Sequence, residues 1–160
     1  MKSETAYVLS NGKKALKWLY ILTFTGMAFT GFGQMPIFKR YYIADIPGMG
    51  WSAKFYLTHY IHYLGAILLI GLIAYVIVDY ILSGRKKFGL TYSAYVRMVL
   101  LGGIVITGIF RVLKNLPDTV FSPGFTQFID ISHFCFTVLY LLTALVFLIM
   151  KSGWVVSVNP

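Results

Sequence analysis

The chain has 160 residues, 58% of them hydrophobic and 12% charged, with a mean hydropathy of +0.75. A soluble domain is about one-quarter charged, so this composition points to a single membrane domain over 1–160. The net charge of +9 would suit a nucleic-acid binder, but the basic residues cluster at the ends of apolar runs. That placement reads as a topology signal and headgroup attraction, with no nucleic-acid partner.

Four continuous apolar runs predict helices over about 16–34, 55–82, 95–113 and 125–150. Each is long enough to span a bilayer, and none alternates as a barrel strand would. The first follows a lysine-rich start. It is longer than a signal-peptide core and lacks a small-x-small cleavage site, so it reads as a retained helix. The segment 35–54 carries Pro36, Pro47, Gly48 and Gly50, and Ile37 to Ile46 could form a short interfacial helix. Residues 83–93 form a basic loop. In 114–124, Pro117, Pro123 and Gly124 break helix before the fourth run. Short connections imply antiparallel neighbours. The expectation is an all-α, integral membrane four-helix up-down bundle.

Lys2, Lys13, Lys14, Lys17, Arg85, Lys86, Lys87, Arg97 and Lys151 fall on one side of such a bundle. Lys39, Arg40, Lys54, Arg111 and Lys114 fall on the other. The positive-inside rule makes the first side cytoplasmic, which places both termini there. Tyr41, Tyr42, Trp51 and Trp154 sit where interfacial aromatics belong. Cys135, the single cysteine, reads as a packing residue. With no CxxCH motif there is no covalent haem attachment.

Polar groups inside spans are costly and mark function. All three histidines lie there: His59 and His62 on the second predicted helix, His133 on the fourth. At the helical rise, His59 and His62 lie roughly 8 and 12 Å from Lys54, and His133 about 5 Å beyond Asp130. The two helices enter from the same side, so their histidines share a depth in the outer half. Two imidazoles at one depth on different helices can serve as axial ligands to the two faces of one haem. Gly65, three residues below His62, would open a groove for it. His59 and His62 cannot both ligate one ring. Depth and Gly65 favour His62, leaving His59 to bind a propionate or line a quinone pocket. Asp130, His133, Thr137, Tyr140 and Ala144 form a polar or small stripe facing the interior. Thr58 is placed to accept the second ring N–H of His62. Lys39, Arg40, Lys54, Arg111 and Lys114 could meet the propionates. Thr30-Gly31 near the end of the first helix and Thr107-Gly108 in the third form a faint internal echo.

With this helix layout, these Thr-Gly pairs, His62 and His133, the chain resembles the small membrane cytochrome b subunit of formate dehydrogenase, hydrogenase and thiosulfate reductase complexes. The resemblance implies a b-type haem subunit in a bacterial inner membrane. Such a subunit passes electrons between a periplasmic iron–sulfur or multihaem cytochrome partner and membrane quinone, beside other membrane subunits. The family's second haem takes a histidine from a His-Trp pair on the first helix and another on the fourth. Here those positions read Lys17-Trp18 and, nearby, Phe147. The resemblance therefore implies one outer, bis-histidine haem b. A quinone could lie outside, near His59, Tyr60 or Tyr63, or inside, near Lys17 and Arg97. The competing readings are a haem-free anchor of a larger complex and a proton relay through Asp130, His133, Thr137 and Tyr140.

Overall fold

A computed structural model of the chain describes residues 11–158, with side chains from residue 14 onward. Lys2, the side chain of Lys13 and both chain ends lie outside the described residues. The elements run α1 (Asn11–Gly33), α2 (Ile37–Arg40), 3-10 turns at Ile43–Asp45 and Gly50–Ala53, and α3 (Phe55–Asp79), continued by a π turn at Tyr80–Gly84. Then follow β1 (Phe88–Leu90), α4 (Tyr92–Leu113), α5 (Pro123–Ile149) and β2 (Val155–Ser157). Among the described residues, three helices are long and apolar enough to cross a membrane: α3 with its π turn, α4 and α5. Their large apolar side chains are mostly exposed, as at Ile67, Val99 and Leu148, a pattern suited to lipid and costly in water. The chain is thus read as a multi-pass membrane protein. α1 has 23 residues and is not among the three, since Lys17, Thr23, Thr25, Thr30 and its glycines dilute its apolar character.

The helices group into two compact units, α1 to α3 in the first and β1, α4, α5 and β2 in the second. In the first, α1 packs against α3. The contacts run antiparallel: Gly33 faces Thr58, Gly31 faces His62 and Gly65 faces Met27. Where the chain leaves α1, Phe29 packs on Phe38 and Trp51, with ring centroids 4.8 and 5.7 Å apart. Gly33 is required there, because a Cβ would lie 2.8 Å from the Ser52 carbonyl oxygen. The expected interfacial helix over 37–46 is shorter, ending at Arg40, and Tyr42 takes a left-handed turn at φ 58°.

In the second unit, α4 packs antiparallel against α5, with Phe110 on Phe125, Gly108 on His133 and Gly103 on Phe136. Pro123 and Gly124 are not breakers before α5 but its first residues. Proline is suited to the first helical position because that N–H has no intrahelical acceptor, and Ser122 caps it by accepting from Phe125 N. Thr91 caps α4 in the same way. The chain leaving α5 folds back onto this cap. Thr91 and Ser93 donate to the Gly153 carbonyl at 2.7 and 2.9 Å, and Arg97 donates to the Ser152 carbonyl at 2.9 Å. The Arg97 guanidinium is buried over the rings of Phe147 and Trp154. β1 and β2 then pair antiparallel, Gly89 opposite Val156, a short ribbon that the all-helical expectation lacked. Trp51 and Trp154 make these ring contacts, Trp154 remaining exposed on its other side, and Tyr41 and Tyr42 are exposed.

Candidate functional site

Each unit carries one glycine-threonine-glycine helix face opposed to one histidine. α1 reads Gly26-Met-Ala-Phe-Thr30-Gly31, and α4 reads Gly103-Ile-Val-Ile-Thr107-Gly108. In both, the threonine is buried and donates its hydroxyl hydrogen to the glycine carbonyl one turn back, Thr30 to Gly26 at 2.8 Å and Thr107 to Gly103 at 2.6 Å. A hydroxyl has one hydrogen, so each threonine oxygen faces its histidine as an acceptor. His133 Nδ1 lies 3.0 Å from Thr107 Oγ1. His62 Nδ1 lies 3.2 Å from Thr30 Oγ1 and 3.0 Å from the Met27 carbonyl oxygen. A carbonyl only accepts, so His62 carries its proton on Nδ1; for His133 the partner is the Thr107 oxygen, and with that hydroxyl's hydrogen given to the Gly103 carbonyl, Nδ1 is the donor there too. In each neutral ring the lone pair is then on Nε2, the nitrogen that could ligate a metal.

The glycine after each threonine lets the imidazole lie against the helix. A Cβ at Gly31 would be 3.3 Å from His62 Cε1, and one at Gly108 would be 3.4 Å from His133 Cε1. The ring is thus fixed from two directions, by a hydrogen bond and by backbone contact. His133 is buried and His62 half-buried.

A second polar contact lies one turn from each histidine. His59 precedes His62 by three positions, as Asp130 precedes His133; Gln34 follows Thr30 by four positions, as Arg111 follows Thr107. These residues pair within their own units. His59 Nδ1 lies 3.1 Å from Gln34 Oε1, and Asp130 accepts from Arg111 Nε at 3.1 Å and Lys114 Nζ at 2.7 Å. His59 therefore corresponds to Asp130, and His62 to His133.

Several sequence-based placements change. Thr58 does not serve His62; its hydroxyl donates to Lys54 and Phe55 carbonyls of its own helix at 3.2 and 2.9 Å, as helical threonines often do. The acceptors for His62 come from α1 instead. Gly65 opens no groove in its unit, because Met27 fills the space: a Cβ there would be 2.6 Å from Met27 Cγ. Small residues at helix contacts serve this close packing. Arg111 and Lys114 face Asp130, while Lys39, Arg40 and Lys54 are exposed. Thr137 donates to the His133 carbonyl at 2.8 Å. The stripe of Asp130, His133, Thr137, Tyr140 and Ala144 is the less exposed side of α5, with His133 and Tyr140 buried. Cys135 is exposed rather than packed. Of the inner-side quinone candidates, Arg97 is engaged by Ser152, Phe147 and Trp154, and Lys17 is exposed.

Among the described residues, no three His, Cys, Asp or Glu side chains gather to hold a bare metal ion. A haem iron needs only two protein ligands, and His62 and His133, each within its own unit, have a ring supported by a glycine and an Nδ1 held by an oxygen acceptor, a chemistry that suits imidazole ligation. No protein-family model matches the chain, and neither a curated protein nor a solved structure matches it.

Proposed function

We propose that the chain is a b-type haem electron-transfer subunit of a membrane oxidoreductase, of the formate dehydrogenase, hydrogenase and thiosulfate reductase cytochrome type. It crosses a bacterial inner membrane four times with both termini inside, α1 adding a crossing to those of α3, α4 and α5. His62 and His133 would hold one haem b, each through Nε2. The observation that carries this reading is the repeated Thr-Gly cradle, which gives two histidines on different helices the same tautomer and the same support. A structural histidine can be satisfied in many ways; two that share a threonine acceptor and a glycine contact suit a common role. Haem, when bound, supplies a one-electron couple.

The chain's own residues do the rest. Thr30, Met27 and Thr107 hold the Nδ1 protons, which makes Nε2 the nitrogen through which each ring would bind a metal. Exposed Lys39, Arg40 and Lys54 supply positive charge for propionates and for docking a periplasmic iron–sulfur or multihaem partner. The absence of a second haem is supported by Arg97, whose guanidinium packs on Phe147 near the position where the family has a ligand. Electrons pass between the periplasmic partner and membrane quinone.

Haem quantified as pyridine haemochrome tests this. One haem b per chain is expected, lost in His62→Ala and His133→Ala and kept in His59→Ala. A purified chain without a Soret band contradicts the reading and favours a haem-free anchor. Loss in His59→Ala with retention in His62→Ala contradicts the ligand assignment.

A further inference from the structure

The second polar contact differs between the units. In the second unit it is ionic, Asp130 with Arg111 and Lys114. In the first it is neutral, Gln34 with His59, and it adjoins a cavity of about 260 Å³ lined by Gly33, Gln34, Pro36, Lys39, Ala53 and Phe55. We infer that this cavity, at the α1–α2 corner of the first unit, is a binding site for a quinone headgroup.

The donors at the cavity support that ligand class. Gln34 Oε1 faces His59 Nδ1 at 3.1 Å, and Gln34 Nε2 reaches the Thr30 carbonyl at 3.5 Å. The Thr30 carbonyl only accepts and so orients the amide, and the NH2 group retains a second hydrogen for a ligand carbonyl. Lys39 provides a further donor at the rim. The walls are otherwise apolar or aromatic. Phe55 lines the cavity and stacks on His59, ring centroids 5.3 Å apart and 16° from parallel, while Tyr63 packs on His59 at 4.3 Å. A planar, uncharged, apolar ring bearing carbonyl acceptors matches donors set in such walls. An anionic ligand would match less well, because the amide is neutral and, among the described residues, Lys39 is the one cation lining the cavity.

This inference deepens the proposed function by locating its quinone, and it is tested by binding, independently of haem. The full chain in nanodiscs is titrated with 2-heptyl-4-hydroxyquinoline N-oxide, a fluorescent quinone-headgroup analogue, and quenching is followed while haem is quantified separately. Saturable quenching at one site per chain is expected. Gln34→Leu and Lys39→Met are expected to weaken it by about tenfold each, the value of one hydrogen bond. Ala53→Phe, which fills the cavity without removing a donor, is expected to abolish it. Lys17→Gln, at the opposite end of α1, is expected to leave it unchanged. Absence of saturable quenching, or sensitivity to Lys17→Gln and not to the cavity variants, overturns the inference. Unchanged thermal unfolding of Ala53→Phe guards against a folding defect. Should that variant misfold, Gln34→Leu and Lys39→Met decide alone. Binding by a chain found to lack haem would sustain this site and refute the haem assignment, so the two failures are distinguishable.

Discussion

Thr107 and Thr30 act on their histidines through an oxygen that has already given its hydrogen to a backbone carbonyl. Replacing such a threonine by valine keeps the shape and removes the acceptor. Partners of this kind are worth about 10- to 100-fold in metal affinity. Thr107→Val is expected to lower haem affinity within that range, measured by haem titration of the apo-chain in detergent. Thr30→Val is expected to lower it less, since the Met27 carbonyl still faces His62 Nδ1 at 3.0 Å. Equal affinity in Thr107→Val and the parent chain would show that the contact does not orient a ligand. Thr58 shows why this network was only partly legible in the sequence. A threonine one turn before a histidine looks like its partner, but its hydroxyl is taken by its own helix, and the true acceptors lie across a helix contact that spacing along one chain cannot reveal. Likewise the pairings Gln34–His59 and Arg111–Asp130 share positions but not residue types, so no sequence pattern exposes their correspondence.

The helix pairs are held by small residues opposite large ones, and the two units solve this in opposite senses. In the first, Gly65 on α3 admits Met27 from α1; in the second, Gly103 on α4 admits Phe136 from α5. An alanine Cβ at Gly103 would lie 2.8 Å from the Phe136 ring, and a ring cannot bend away. Gly103→Ala is expected to destabilise by about 1–3 kcal/mol, read from thermal or denaturant unfolding in detergent. Gly65→Ala is expected to cost less because methionine has more rotatable bonds. Phe136→Ala in the Gly103→Ala background should recover part of the loss, and strict additivity would argue against direct contact. Continuous apolar runs located these helices well: α3 begins at the expected residue and α4 ends where expected. What they missed were ends set by capping. Pro123 starts α5 instead of preceding it, and Thr91 begins α4 earlier than its apolar run does. The β1–β2 ribbon also escaped, because three-residue strands have no period to detect.

At the scale of the whole molecule, hydropathy made the membrane character plain, and three helices meet the demands of a crossing. α1 is less apolar, and its proposed crossing rests on the length of its apolar run, the charge distribution giving only the sidedness. Its threonines and glycines, which dilute that apolar character, include the groups that cradle His62. The proposed topology puts residue 86 inside and residue 118 outside. With Cys135 replaced by serine, Lys86→Cys is expected to resist a membrane-impermeant maleimide applied to intact spheroplasts, while Asp118→Cys reacts. The opposite labelling would reverse the orientation, and labelling of both would remove one crossing between them.

The central claim is that imidazoles on α3 and α5 bind a single iron, and the most direct measurement is chemical rescue followed by low-temperature electron paramagnetic resonance. The oxidised parent chain should give a low-spin bis-imidazole haem signal. His62→Gly and His133→Gly should each lose it or turn high-spin, and added imidazole should restore it in both. A low-spin signal that persists in either variant without imidazole, or no haem signal in the parent chain, would contradict the account.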